Sequence, residues 1–222
     1  MKPPPLAVFF SGLPGSGKTT IAHRAIEALG ENCSLISSEE VRKQQRLEDL
    51  LQTSSRLRLQ MHIAEKIKTV AISRHVEHIV VDTNLLEAAG RLTVTSALSD
   101  VQMAKVLVCP HADSEVLFER VQAKFGRQQF YNDGQFDASM IIDKAVAIAD
   151  PLFRDEASAY DAVISYRSDT GQIKTWSNPS GALEGNLDYL ATTFFSGLCR
   201  IFPLRNNWTY SLPGNGTYGS MA

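Results

Sequence analysis

Gly12, Gly17, Lys18 and Thr19 stand in the spacing G-x-x-x-x-G-K-[ST] within the run Gly12-Leu13-Pro14-Gly15-Ser16-Gly17-Lys18-Thr19. The chemistry such a run supports is the holding of a nucleoside triphosphate. Glycines let the backbone curl so that successive N–H groups converge on an anion, and a helix that starts there adds its positive end. Lys18 is placed to reach the outer phosphates, and the Thr19 hydroxyl to ligate Mg²⁺. The expected nucleotide-binding set is therefore Gly12, Gly15, Ser16, Gly17, Lys18, Thr19 and Thr20.

Three further groups have residue types that could act on a phosphate so held. Ser38-Glu39-Glu40-Val41-Arg42 puts two acids in the first turn of an expected helix, with Arg42 one turn after Glu39. Alone, the acids would be read as complementing the helix dipole. Val81-Asp82-Thr83-Asn84-Leu85 places an acid at the tip of an apolar strand, where it could hold Mg²⁺ through water or brace a cation. Arg120 and Arg127 lie seven residues apart, two helical turns if the helix continues, and such arginines neutralise charge on a moving phosphoryl group.

The elements that must position these groups follow from periodicity. Leu6 to Phe10 is a continuous apolar run of the kind a buried parallel strand needs. After the glycine-rich turn, Ile21, Ala25, Ala28 and Leu29 share one helical face, and Gly30 supplies a stop. Strands are expected over Cys33–Ser37, His78–Asp82, Ala104–Cys109 (closed by Pro110) and Tyr160–Ser165. Helices are expected after Ser38 and over Arg56–His75, Glu87–Leu98, Ser114–Phe125 and Ala138–Ile148. Gln128 to Phe136 reads as a loop. Strands alternate with helices five times, which implies an α/β fold with a five-stranded parallel sheet and helices on both faces, doubly wound as in P-loop NTPases. In such sheets ligands gather at the carboxyl ends of strands.

Residues 1–170 form the expected kinase-sized domain. Residues 171–222 are expected to pack on it: a Gly-, Ser-, Asn- and Pro-rich loop or small hairpin, a terminal helix over Leu187–Ile201, and a polar tail. At 222 residues and 24.4 kDa, with 44% hydrophobic and 21% charged residues, the chain can bury one sizeable core. No apolar run approaches membrane-spanning length and no signal-peptide core precedes the first strand, so an intracellular, cytoplasmic protein with no membrane partner is expected. Cys33, Cys109 and Cys199 are odd in number and far apart; buried thiols are expected, not a disulfide framework or a zinc site. The net charge of −2 is uneven: Arg42 to His75 carries eight Lys or Arg against three acids. That segment could face an anionic partner, or could be solvated helix surface.

Together these residues resemble the P-loop kinases related to the kinase domain of bacteriophage polynucleotide kinase, a group that includes the zeta toxins. The resemblance rests on Gly12 to Thr20, Ser38 to Arg42, Val81 to Leu85 and Arg120 with Arg127, and covers about residues 6–166. It implies ATP as phosphoryl donor, Mg²⁺ as metal and a hydroxyl acceptor. It also implies Glu39 as general base at that hydroxyl, Asp82 orienting Arg42, and Arg120 and Arg127 as lid cations on the nucleotide. The family base is usually aspartate; with glutamate at 39, either the backbone is set back or Glu40 takes the role. The basic segment points to an anionic acceptor: a nucleic-acid end, a nucleotide or a modified base. A sugar, a nucleoside or an antibiotic is the alternative acceptor, and a regulatory ATPase a further alternative. D-x-D-x-T, K-x-D-G and N-K-x-D are absent, so no fused phosphatase, ligase or guanine-specific switch is expected.

Overall fold

The computed structural model describes residues 5–45, 53–73, 75–125 and 137–177. In chain order the elements are β1 (Leu6–Phe10), α1 (Lys18–Leu29), β2 (Cys33–Ser37), α2 (Ser38–Gln44) and α3 (Thr53–Ala71). There follow β3 (His78–Asp82), α4 (Ala88–Ser96), β4 (Ala104–His111), α5 (Ser114–Phe125) and α6 (Ala138–Ala147). The last are α7 (Arg154–Ala157), β5 (Ala162–Arg167) and β6 (Gln172–Ser177).

The strands form one sheet in the order β2-β3-β1-β4-β5-β6. The first five are parallel, as the alternation with helices requires, and β6 adds antiparallel to β5. β1 lies between β3 and β4, in register Ala7 with Ile79 and Leu6 with Ala104. The chain leaves β1 toward β2 on one side and later returns as β4 on the other. The turn after β1 therefore stands where the strand order reverses, the place where a parallel sheet opens a crevice.

Successive side chains of each strand go to opposite faces, and both faces are buried. Ala7, Phe9, Ile79, Val81, Leu107 and Cys109 pack with Leu59, Ile63 and Ile67 of α3 and with Val94 of α4. Val8, Phe10, Val80, Val106, Val108 and Ile164 pack with Ile21, Ala22 and Ala25 of α1. This two-sided burial explains why the strands read as unbroken apolar runs. Phe9 also meets Tyr160 edge to face, with ring centroids 6.1 Å apart.

Several boundaries differ from expectation for local reasons. β4 continues through Pro110 to His111, opposite Tyr166 and Arg167 of β5. On the other side β1 has already ended at Phe10 opposite Val108, so proline's missing N–H leaves no ladder bond unmade there. α3 begins at Thr53 and ends at Ala71, short of His75. β6 comes from the stretch expected as a loop or hairpin, and Gly171 turns into it at φ +73°. Of the three thiols, Cys109 is buried and Cys33 half-buried, and both are free. Burial pushes Cys109 up to about 12 and Cys33 to about 11. Cys199, the expected terminal helix and the polar tail lie outside the described residues. Among the described residues no helix is long and apolar enough to cross a membrane.

Ile63 is fully buried between α3 and the sheet, whereas Ile72, just past the end of α3, is 79% exposed. Ile63→Ala is expected to destabilise the protein by about 2–5 kcal/mol, and Ile72→Ala by less than about 0.5 kcal/mol, in chemical denaturation.

Candidate functional site

The turn between β1 and α1 has almost no room for side chains. A Cβ built on Gly12 would lie 2.6 Å from the Pro110 carbonyl oxygen and 2.9 Å from Ser16 Oγ. Gly15 and Gly17 adopt φ of +80° and +91°, left-handed values that β-carbons disfavour. Gly17 is the N-cap of α1 and, having no side chain, leaves the cap without a side-chain bond; the first turn of α1 carries no acid. The orphan N–H groups and positive end of the helix are thus left for an external anion. Ser16 and Lys18 are buried, while Thr19 and Thr20 are exposed.

Lys18 Nζ donates to the carbonyls of Gly12 (2.8 Å) and Leu13 (2.7 Å) and to Ser16 Oγ (3.3 Å). Burial pushes its ammonium down to about 7; Asp82 pulls the other way, and Lys124 adds repulsion. An anion beside Lys18 would therefore satisfy a cation that the fold has desolvated. Converging amides, a buried lysine and an exposed Thr19 hydroxyl suit a triphosphate. For Mg²⁺, Thr19 and Asp82 are the candidate protein ligands. A magnesium ion bound mainly by phosphates and water needs only one or two, and among the described residues no group of three His, Cys, Asp or Glu is gathered for a metal.

On one side of this turn stand the ends of β2 and β3. Parallel pairing sets Ser37 opposite Asp82, which places the start of α2 beside the tip of β3. Asp82 is 9% exposed. Glu39 is exposed and accepts a hydrogen bond from Lys43 at 2.9 Å, four residues on. That bond, helped by the charges of Lys43, Lys124 and Arg42, holds the Glu39 carboxyl below its usual range against some desolvation. Glu40 is exposed and Arg42 half-buried. Among the described residues no hydrogen bond joins Arg42 to Asp82.

On the other side stands α5. Leu117 and Val121 are buried, and the Leu117 carbonyl would lie 2.9 Å from a Cβ on Gly15, so α5 packs directly on the phosphate loop. Arg120 donates to the Gly15 carbonyl (3.1 Å), to Ser168 Oγ (2.7 Å) and to the Ser168 carbonyl (3.3 Å). Its guanidinium thus ties the loop to the turn between β5 and β6. Arg127 lies outside the described residues. Lys124, which motif reading passed over, acts electrostatically on both Lys18 and Glu39. It stands four residues after Arg120 on the same helix, so helical spacing alone could have raised it.

Comparison with known proteins agrees with this layout. Residues 8–140 match the family model AAA_33, described as an AAA domain. A sugar kinase from Janibacter sp. HTCC2649 superposes with a TM-score of 0.53 at 18% identity, over 86% of this chain and 96% of that one. A gluconokinase from Sinorhizobium meliloti 1021 does so with 0.50 at 19% identity, over 88% and 99%. The APS kinase CysC of Mycobacterium tuberculosis, in complex with AMPPNP and APS, gives 0.50 at 16% identity, over 86% and 100%. At these identities the likeness is one of fold. No curated protein sequence matches the chain significantly.

Gly12→Ala sets a methyl group against a backbone carbonyl that cannot rotate away. It is expected to destabilise the fold by about 1–3 kcal/mol through overpacking. Thr20→Ala, at an exposed position, is expected to change stability by less than about 0.5 kcal/mol. Thermal denaturation of the two variants checks this.

Proposed function

This chain belongs to the AAA_33 family of AAA domains, and on that premise we propose that it is an ATP-dependent phosphotransferase with an alcohol group as acceptor. The observation that carries the reading is the meeting, at the carboxyl ends of β1, β2 and β3, of the phosphate loop with Asp82 and the acid- and base-bearing start of α2. An acid and an arginine beside the loop suit activation of an acceptor hydroxyl and neutralisation of charge on the moving group; an ATPase can use the same groups on water, so labelled transfer separates the two.

In this reading the loop amides and Lys18 hold the β- and γ-phosphates, and Gly12, Gly15 and Gly17 let the backbone approach them. Thr19 and Asp82 would hold Mg²⁺, whose charge would offset that of the phosphates. The acceptor hydroxyl gives its proton to Glu39 as its oxygen bonds to the γ-phosphorus, the bridging P–O bond breaks, and ADP leaves. Glu39, whose carboxyl Lys43 holds below its usual range, is ionised in the neutral range as a base must be. Arg42 and Asp82 set the acceptor. Lys124 and Arg127 act on the transferring group, and Arg120 holds the loop in shape from behind.

The charge arrangement favours a compact acceptor, a sugar, nucleoside or nucleotide, over the end of a long nucleic acid. Within the basic segment, Lys43 is paired with Glu39, and Arg56 is paired through two bonds of 3.0 and 3.1 Å with Glu87. α3 runs away from the site toward the start of β3, so Lys68 stands about 18 Å along the helix from Arg56. Among the described residues, the charges of this segment are therefore spread along the helix. A polynucleotide kinase-like acceptor shares the same chemistry, and salt separates the two.

The test is transfer of label from γ-labelled ATP to a panel of sugars, nucleosides, nucleotides and oligonucleotide ends. Label is expected in a compact acceptor whose apparent affinity changes less than about threefold between 50 and 200 mM salt. An oligonucleotide acceptor held by several phosphate contacts would lose on the order of 10³-fold over that range. Steady release of phosphate with no labelled acceptor would overturn the kinase reading in favour of an ATPase.

Glu39→Ala is expected to lower turnover about 10²- to 10⁴-fold while leaving nucleotide affinity unchanged. The pH dependence follows from the sign of the Glu39 shift. A carboxyl held below the usual glutamate range stays ionised to lower pH than a free one, so the acid limb of the rate profile lies below that of an unperturbed glutamate. Lys43→Ala is expected to move that limb upward.

A further inference from the structure

Arg91, on the first turn of α4, is 2% exposed, the largest of the fully buried side chains. No motif singles it out. All five N–H groups of its guanidinium are nonetheless engaged. Nη1 donates to the carbonyls of Leu85 (3.2 Å) and Leu86 (2.7 Å). Nη2 donates to the carbonyls of Asp150 and Pro151 (both 3.2 Å) and to Glu156 Oε2 (3.0 Å), and Nε donates to Glu156 Oε1. The carbonyls it holds follow Asp82 by only three and four residues.

The segment so held is fixed from several directions. Ser11, the residue before the phosphate loop, donates through Oγ to the same Leu85 carbonyl at 2.8 Å. The Leu85 carbonyl is therefore a junction between the start of the donor loop and the chain that leaves Asp82. Asp150 completes a second junction, donating its N–H to the Leu86 carbonyl (2.9 Å) and accepting from Ala88 N–H (2.8 Å). Glu87 is clamped by Arg56 from α3.

Stability alone does not require this arrangement. A buried ion pair pays a large desolvation cost, and replacing both partners by apolar side chains of similar size is commonly neutral or stabilising. A five-donor planar fork, by contrast, defines where several carbonyls stand, which no apolar side chain and no lysine can reproduce. We propose that Arg91, with Glu156 as its counterion, is a positioning residue that sets the chain from Thr83 to Glu87, and with it Asp82 and the acceptor side, against the donor loop. This rests on the phosphotransfer reading for its effect on turnover, and on the geometry alone for its effect on the loop.

The experiment compares wild type with Arg91→Met/Glu156→Leu, which replaces the pair by apolar volume, and with Arg91→Lys, which keeps the charge and loses the fork. Three quantities are read: hydrogen exchange of the amides of residues 83–88 against those of residues 12–19, affinity for a fluorescent ATP analogue, and steady-state transfer to the compact acceptor found in the panel. In both variants exchange at 83–88 is expected to rise at least about tenfold while exchange at 12–19 is unchanged. Nucleotide affinity is expected within about threefold of wild type. Turnover is expected to fall about 10²-fold with a raised KM for the acceptor and an unchanged KM for ATP. Folded variants with unchanged exchange at 83–88, or with wild-type turnover and acceptor KM, overturn the proposal. Equal losses at both segments and in both KM values overturn it too, since a merely structural residue would act that way. If wild type transfers phosphate to no acceptor, the functional reading fails by itself, and the exchange comparison still decides whether Arg91 sets the loop.

Discussion

Everything at the top of the sheet depends on how closely the backbone after β1 approaches its neighbours. The Pro110 carbonyl stands where a side chain at position 12 would go, the Leu117 carbonyl where one at 15 would go, and Ser168 crowds position 17. The loop is pressed between β4, α5 and the turn that leads to β6. That confinement forces the left-handed glycines, buries Ser16 and Lys18, and aims the first N–H groups of α1 outward. The Lys18 ammonium, which burial pushes down to about 7, meets only neutral oxygens with its three donors, and a phosphate chain adds the counter-charge that the buried site lacks.

From that loop two sets of contacts extend in opposite directions. Through Arg120 the loop is tied to Ser168 and hence to the β5–β6 hairpin. Through Ser11 and the Leu85 carbonyl it is tied to the chain leaving β3, which Arg91 and Glu156 hold from below. The parallel register of β2 with β3 then fixes α2 relative to Asp82. The phosphate loop and the chain after Asp82 are thus set by a few backbone carbonyls, each receiving side-chain donors from a different element. Preorganisation of this kind is what phosphoryl transfer asks of a protein, since positioning and charge supply most of its catalysis.

Much of this was legible in the residues because the signals were local. The bounds expected for β2, β3 and α5 match the structure, since apolar runs, caps and turn residues mark them. The two-sided apolar character of β1, β3 and β4 follows from burial on both faces. What sequence reading missed depends on partners far along the chain. β6 is held by pairing with β5 and not by its own composition, which is rich in turn formers nearby. Arg91 reads as one more helical arginine until residues 150–156 are brought beside it. Arg120 joins the loop to Ser168, a partner remote in sequence that helical spacing does not reveal. Glu39 was expected to work with Arg42; the (i, i+4) partner Lys43 takes its hydrogen bond instead, a choice helical spacing permits but cannot make.

The central claim is that residues 12–19 hold a magnesium–triphosphate complex as a phosphoryl donor. Titration calorimetry of a non-hydrolysable ATP analogue with Mg²⁺, on wild type and Lys18→Met, tests it most directly. One site per chain is predicted, weakened about 10- to 100-fold in the variant, the size expected for losing a charge-assisted bond to phosphate. Wild-type protein that binds no analogue, or a folded Lys18→Met variant that binds it equally well, would contradict the account.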